Sequence, residues 1–186
     1  PHLTAFTERI AVNGKFISMH DTIKLIGTIE RALEKYVVSS PYGMLSFGEL
    51  AFCMALLYYK QKKCEWVVVE VACGGRCDLT NVIPTPKVTI ITNIGHDHLK
   101  LLGPRLSDVA RAKAGIIKKG TYFLTTEQNK RYTKIFEQEC KKVSCSYNKL
   151  DLDFQLLEQE NEYSIFEYQG KKYTLFLPGT HQIHNA

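Results

Sequence analysis

The stretch Trp66-Val-Val-Val-Glu-Val71, followed by Ala72-Cys73-Gly74-Gly75, decides how the rest of the chain is read. A continuous run of β-branched residues without polar alternation is the pattern of a strand buried on both faces, as in parallel sheets covered by helices. The glycine pair ends it. Val88-Thr-Ile-Ile-Thr92 repeats the pattern and stops at Asn93, before the polar loop Gly95-His96-Asp97-His98. Thr121-Tyr-Phe-Leu-Thr125 is a third short strand. Around these the apolar period becomes helical. Asp21 to Tyr36 carries Ile23, Leu25, Ile26, Ile29, Leu33 and Tyr36, with Asp21 as its expected cap. Ser46 to Tyr59 opens on Ser46, with Glu49 three residues later, the signature of a capping box. Ser107 to Lys118 and Glu127 to Lys142 read as two further helices.

Strands alternating with helices up to about residue 145 predict an α/β fold, a mainly parallel sheet with flanking helices. Beyond it, Phe154 to Leu157, Tyr163 to Tyr168 and Lys172 to Leu177 mix apolar and polar residues, with Gln169-Gly170 as a turn. They predict a small antiparallel β-sheet near the C-terminal end. Pro178-Gly179 punctuates the entry to the last segment, His181 to Ala186.

Composition removes several classes of function. With 186 residues, 45% hydrophobic and 23% charged, the chain has the makeup of an ordinary globular domain. No run approaches the roughly 20 apolar residues of a membrane span. The net charge of +5 comes from 24 basic and 19 acidic residues, most densely Lys60 to Lys63 and Lys118-Lys119. That pattern lacks the basic stripe with interleaved aromatics of a nucleic-acid binder, while its sign suits an anionic small substrate. Cys53, Cys64, Cys73, Cys77, Cys140 and Cys145 lack the tight repeated spacing of zinc sites and read as reduced thiols of a cytoplasmic protein.

Ligands of open parallel sheets bind beyond the carboxyl ends of the strands. Glu70 and His98 both fall there. A carboxylate and an imidazole converging on one sheet edge offer an oxygen and a nitrogen donor to a divalent metal; an end-of-strand acid and a loop histidine are the plainer alternative. Between them Arg76, Asp78, Thr80 and Asn81 follow the glycine pair, giving donors, acceptors and both charges for a ligand-binding loop or a hydrogen-bonded structural turn.

Five segments in order carry a resemblance. Pro1-His-Leu3 with Glu8-Arg-Ile10 and Asn13-Gly14 comes first, then Glu70-Val-x-x-Gly-Gly-Arg-x-Asp-x-Thr-Asn81. Ile91-Thr-x-Ile-Gly-x-Asp-His98 with Leu102-Gly103, Lys113-Ala-Gly-Ile-Ile-Lys118 and His181-Gln-x-x-Asn-Ala186 follow. Together they resemble the folylpolyglutamate and dihydrofolate synthases of the Mur ligase superfamily, from end to end of the chain.

The resemblance implies the central domain of an ATP-dependent amide ligase. Such enzymes phosphorylate the carboxylate of dihydropteroate or a folate, and the amine of L-glutamate then attacks the acyl phosphate. It implies ATP and Mg2+ as cofactors, Glu70 and His98 as metal ligands, and Lys113 as a carbamylated lysine. Asn185 would meet the adenine. Ser46, Phe47, Gly48 and Glu49, with Arg76, Cys77, Asp78 and Leu79, would lie on the pterin side. A monomer is implied.

Departures from the pattern fall mainly in the substrate pocket. Ala72-Cys73 replaces the usual Gly-Leu or Gly-Ile, Ala112 replaces a Glu, and Phe47-Gly48 stands where an aromatic pair is usual. A Gly-x4-Gly-Lys-Ser/Thr phosphate loop does not occur in these residues. The resemblance puts it before Pro1 and a glutamate-ligase domain after Ala186, so the 186 residues alone are expected not to turn over ATP. Another Mur-type ligase, or a folate- or nucleotide-binding module that has lost catalysis, are the alternatives.

Overall fold

A computed structural model of the chain describes residues 2–151, 153–177 and 179–185. Pro1, Leu152, Pro178 and Ala186 lie outside the described residues, and with them the proline of the expected Pro178-Gly179 break. The chain forms two compact units, residues 1–84 and 85–186.

In the first unit Asn13 and Gly14 both take left-handed backbone angles, φ 51° and 74°. This is the geometry that lets Asn-Gly close a two-residue hairpin, here between β1 (Ala11–Val12) and β2 (Lys15–Phe16). Helix α1 (Met19–Ser39) begins one turn earlier than its apolar period suggested. Ser18 is its cap, accepting the Asp21 amide at 3.0 Å, and Asp21 instead pairs with Lys62 at 3.3 Å. Helix α2 (Phe47–Gln61) starts on the expected box, with the Glu49 carboxylate accepting from the Ser46 amide at 2.7 Å and the Glu49 amide donating to the Ser46 hydroxyl. Ile10, Ile17, Leu25, Met54, Ala55 and Tyr58 form the core of this unit.

The run Trp66 to Val71 corrects its reading as a buried strand. It belongs to no strand or helix and has no ladder partner among the described residues, and Trp66 and Val68 are 75% and 95% exposed. Strandness is a property of pairing: β-branched residues favour a pleated surface, but only a neighbour satisfies the backbone groups.

The second unit holds the parallel sheet, in the order β3 (Val88–Ile91), β4 (Tyr122–Thr125), β5 (Ser146–Lys149), all pairs parallel. Two short helices, α3 (Leu99–Leu102) and α4 (Leu106–Ala114), connect β3 to β4, and α5 (Lys130–Val143) connects β4 to β5. Helix α4 stops four residues before its predicted end. Helix α5 starts after Glu127, with Asn129 as its cap accepting the Arg131 amide at 2.9 Å. Tyr132, Phe136 and Cys140, spaced four apart on α5, meet Ala110, Ala114, Ile117, Ile91 and Phe123. The Phe123 and Phe136 rings cross edge to face at 5.5 Å, a favourable aromatic arrangement. Burial, with the neighbouring Cys145 adding to it, pushes the Cys140 thiol up to about 12, so it serves as a small protonated core residue. All six cysteines carry free thiols.

A separate antiparallel sheet, β6 (Phe154–Gln159), β7 (Ser164–Tyr168) and β8 (Lys171–Leu175), matches the expected C-terminal hairpins, and α6 (Thr180–Asn185) follows. Ile183 is buried, and the Phe154 and His184 rings meet at 4.7 Å. No helix among the described residues is long and apolar enough to cross a membrane.

Two residues give tests of this architecture. Gly103 has φ 110°, and a Cβ there would stand 2.8 Å from the Asp108 Cβ. Gly103→Ala should lower stability by roughly 1–3 kcal/mol, while Gly120→Ala, at φ 71° with open space around it, should cost less; urea unfolding of the two variants decides. Glu8 is partly exposed, and hydrogen bonds from the Thr4 hydroxyl and from the Leu3, Ala5 and Thr4 amides lower its pKa from 4.5 to about 2. Its folded value lies below the unfolded one, so its stabilising effect is complete above pH 4.5 and is lost as pH falls through about 2. A carboxyl NMR titration of Glu8 with an ordinary midpoint would refute this.

Candidate functional site

The loop from Ala72 to Val82 is organised by one carboxylate. Asp78 is 9% exposed; its Oδ2 accepts the Cys73 amide at 2.8 Å and its Oδ1 accepts the Thr80 amide at 2.9 Å and the Thr80 hydroxyl. Burial pushes the Asp78 carboxyl up, but the Thr80 hydroxyl and the Cys73, Thr80 and Ala72 amides outweigh it and hold the group below its ordinary value. Gly74, at φ 68°, supplies the left-handed step that lets the backbone double back onto this acid. The Asn81 side-chain amide donates to the Arg76 carbonyl at 3.0 Å, and the Arg76 and Cys77 side chains stand exposed on the turn.

This loop meets the start of α2. Leu79 packs so closely over Gly48 that a Cβ at Gly48 would lie 2.9 Å from Leu79 Cδ2. Two groups of sequence-expected residues, Ser46 to Glu49 and Cys77 to Leu79, therefore form one surface of the first unit. Phe47 is 63% exposed at its rim, edge-on to Phe6 at 5.9 Å and beneath the Arg9 guanidinium at 5.7 Å. The Ser46 hydroxyl and amide lower the Glu49 carboxyl pKa. An exposed aromatic, a cation and a braced glycine loop make a surface suited to a flat, polar-edged ring. Glu70, in the run before the loop, is exposed and makes no hydrogen bond or ion pair among the described residues.

In the second unit His98 follows β3 and caps α3 in the left-handed conformation, φ 49° and ψ 34°. Its carbonyl accepts the Leu101 and Leu102 amides at 2.8 and 2.9 Å, and its Nε2 lies 3.4 Å from Asp97 Oδ1. The imidazole is 45% exposed. A histidine held at positive φ is uncommon, and such positions concentrate at functional sites. Lys113 sits half-buried in the last turn of α4. Asn185 is exposed at the end of α6, its side-chain amide donating to Gln182 Oε1 at 3.3 Å.

No three His, Cys, Asp or Glu side chains group into a metal cage among the described residues. That excludes a structural zinc site of closed coordination from those residues. Taken singly, the Glu70 carboxylate of the first unit and the His98 imidazole of the second are exposed donors, and Mg2+ takes as few as one or two protein carboxylates and fills its shell with water and phosphate oxygens. The residue that sequence reading passed over is Glu127, taken as the start of a helix and found as a buried acid between two loops. Its only sequence signal was an acid placed directly after a β-strand.

Comparison with known proteins puts these features in context. Residues 14–186 match the Mur ligase middle domain family. A dihydrofolate synthase/folylpolyglutamate synthase of Bacillus subtilis is 32% identical over 194 residues, covering 100% of this chain and 45% of that protein. A folylpolyglutamate synthase of Mycobacterium tuberculosis, complexed with ADP and AMPPCP, superposes with a TM-score of 0.83 at 30% identity, over all of this chain and 44% of that one. A folylpolyglutamate synthase bound to AMPPCP and folate gives 0.87 at 26% identity, over all of this chain and 47% of that one. The chain spans less than half the length of each of these proteins.

Replacing Asp78 tests how the loop is held. Asp78→Asn leaves one oxygen where two accepted, and each buried donor left unpaired costs roughly 1–3 kcal/mol. Urea unfolding should show a loss in that range, with faster hydrogen exchange at the Cys73 or Thr80 amide. An unchanged midpoint would mean that the loop holds itself without the acid.

Proposed function

The chain belongs to the Mur ligase middle domain family, and from this premise we propose that it is the ATP-binding core of an ATP-dependent ligase that joins L-glutamate to dihydropteroate or a folate. The observation that carries the reading is the similarity of the whole chain to a protein named dihydrofolate synthase/folylpolyglutamate synthase, beside the family match over residues 14–186. The positions of the polar residues support it: His98 stands in the loop that leaves the carboxyl end of a parallel strand, and Asp78 braces a glycine loop beside Phe47. In this reading the phosphate loop and the glutamate domain belong to a longer protein.

The chemistry is acyl activation. The substrate carboxylate takes the γ-phosphoryl group of ATP, the glutamate amine attacks the acyl phosphate, and the tetrahedral adduct expels phosphate. Little covalent work falls to the protein in phosphoryl transfer; positioning and charge stabilisation dominate. Magnesium, when bound, neutralises the oxygens of the transferring group. Glu70 and His98 would hold it through one carboxylate oxygen and one imidazole nitrogen. Lys113 would take up CO2 as its neutral amine, losing a proton and becoming a carbamate anion that adds a further oxygen donor. Asn185 would present its amide to the adenine. The surface formed by Ser46, Phe47, Gly48, Glu49, Arg76, Cys77 and Leu79 would receive the pterin, with Asp78 bracing the loop from within and Phe47 as the stacking face. A monomer in a reducing compartment is part of the proposal.

The test uses the full-length protein that carries this chain, with ATP, magnesium, L-glutamate and either dihydropteroate or folate. ADP and a glutamylated product should form, and Glu70→Gln or His98→Ala should lower kcat by on the order of 100-fold. The 186-residue chain alone should release no ADP above blank. Turnover with a cell-wall precursor in place of the folate would overturn the substrate assignment. Binding of folate without turnover of any substrate would favour a non-catalytic module.

A further inference from the structure

Glu127 stands at the carboxyl end of β4, 7% exposed, and the proposed chemistry leaves it unused. A buried carboxylate is costly unless its oxygens are engaged. Here Oε2 accepts the Ile94 amide at 2.7 Å and Oε1 accepts the Asn129 amide at 2.8 Å, while the Glu127 amide donates to Thr125 Oγ1 at 3.1 Å. Hydrogen bonds to an ionised acceptor are roughly twice as strong as neutral ones. The consequence is geometric. Ile94 lies 33 residues away, in the loop that leaves β3, and Asn129 is the cap of α5. One short side chain thus ties the loops at the carboxyl ends of two adjacent parallel strands. Next to it the Thr126 hydroxyl donates to the Thr92 carbonyl at 2.9 Å, a second tie across the same gap.

Ile94 precedes His98 by four residues. The left-handed backbone of His98 is unfavourable for a histidine and persists only where its surroundings fix it. Downstream, the Leu101 and Leu102 amides hold the His98 carbonyl. Upstream, the fixed points of the loop are the ties from Thr126 and Glu127. We propose that Glu127 is a positioning residue for His98: it anchors the β3–α3 loop so that the imidazole is presented to the metal–nucleotide without reorganising. This rests on the reading of His98 as a magnesium ligand.

The experiment measures Mn2+ affinity by electron paramagnetic resonance in the full-length protein, as wild type, Glu127→Gln, Glu127→Ala and His98→Ala, with hydrogen exchange at the Ile94 amide read in parallel. Outer residues that orient a metal ligand typically change affinity by 10- to 100-fold when altered. Glu127→Gln should weaken Mn2+ about tenfold, expose the Ile94 amide to exchange, and recover turnover when magnesium is raised. A merely structural acid would lower the melting temperature and leave the affinity of the folded protein unchanged. That outcome in Glu127→Gln, beside a His98→Ala variant that has lost affinity, overturns the inference and spares the ligand reading. Wild-type affinity in His98→Ala overturns both. Glu127→Gln keeps the shape and one acceptor of the native side chain, so it carries the test if Glu127→Ala does not fold.

Discussion

Val88 to Ile91 and Tyr122 to Thr125 run parallel in unbroken register, Val88 opposite Tyr122 and Ile91 opposite Thr125. A parallel pair cannot be closed by a tight turn; it needs a crossover, usually helical. That requirement places α4 against the sheet, where Ala110 and Ala114 bring its backbone close and let Phe123 and Phe136 fill the space beneath. It also sends both chains out of the sheet at the same edge. The loop carrying His98 therefore leaves β3 beside the loop carrying Glu127, so one glutamate side chain can reach from one to the other. Two strands paired antiparallel would have put these loops at opposite ends.

The same device appears in both units. Asp78 gathers the glycine loop by accepting amides from Cys73 and Thr80, and Glu127 gathers the strand-exit loops by accepting amides from Ile94 and Asn129. In each case a nearly buried carboxylate is engaged by backbone donors, which suits it better than a mobile side-chain partner because the amides are fixed by the fold. The residues proposed to meet ligands, Glu70, His98 and Phe47, are exposed, each beside one of these braced segments. Rigid support with free functional groups is the division that positioning catalysis demands.

Signals carried by local sequence were legible. The box at Ser46 and Glu49, the strands around Ile90 and Phe123, and the C-terminal hairpins can be read from period and turn chemistry, because they depend on residues within a few positions of one another. Two of the three failures were non-local. Trp66 to Val71 has the composition of a buried strand, but composition cannot supply a pairing partner. Ser18 outcompeted Asp21 as a cap because its hydroxyl stands where the first free amides converge, a choice that apolar period does not register. Glu127 looked like a first-turn helix acid, and its partner at Ile94 lies too far along the chain to be seen without the sheet. At the candidate site, ordered motifs named the residues, while their geometry, the left-handed His98 above all, came only from the fold.

The openness of the proposed metal donors bears on how such a site would choose its occupant. A site of three or four closed protein donors binds transition metals tightly through their intrinsic preference for nitrogen and sulfur. The described residues offer no such cluster, and the six thiols do not gather into one. One carboxylate and one imidazole give little affinity by themselves, and a hard ion that keeps its waters is held mainly through phosphate oxygens. In the proposed reading, binding then depends on nucleotide, and the share of the work that falls to the β3–α3 loop is to hold the His98 donor steady. A loop free to wander would lose this share first, since a weak site has no surplus affinity with which to reorder it. On this argument the energy invested in burying Glu127 is spent on the precision of His98, and tightness of binding is left to the nucleotide.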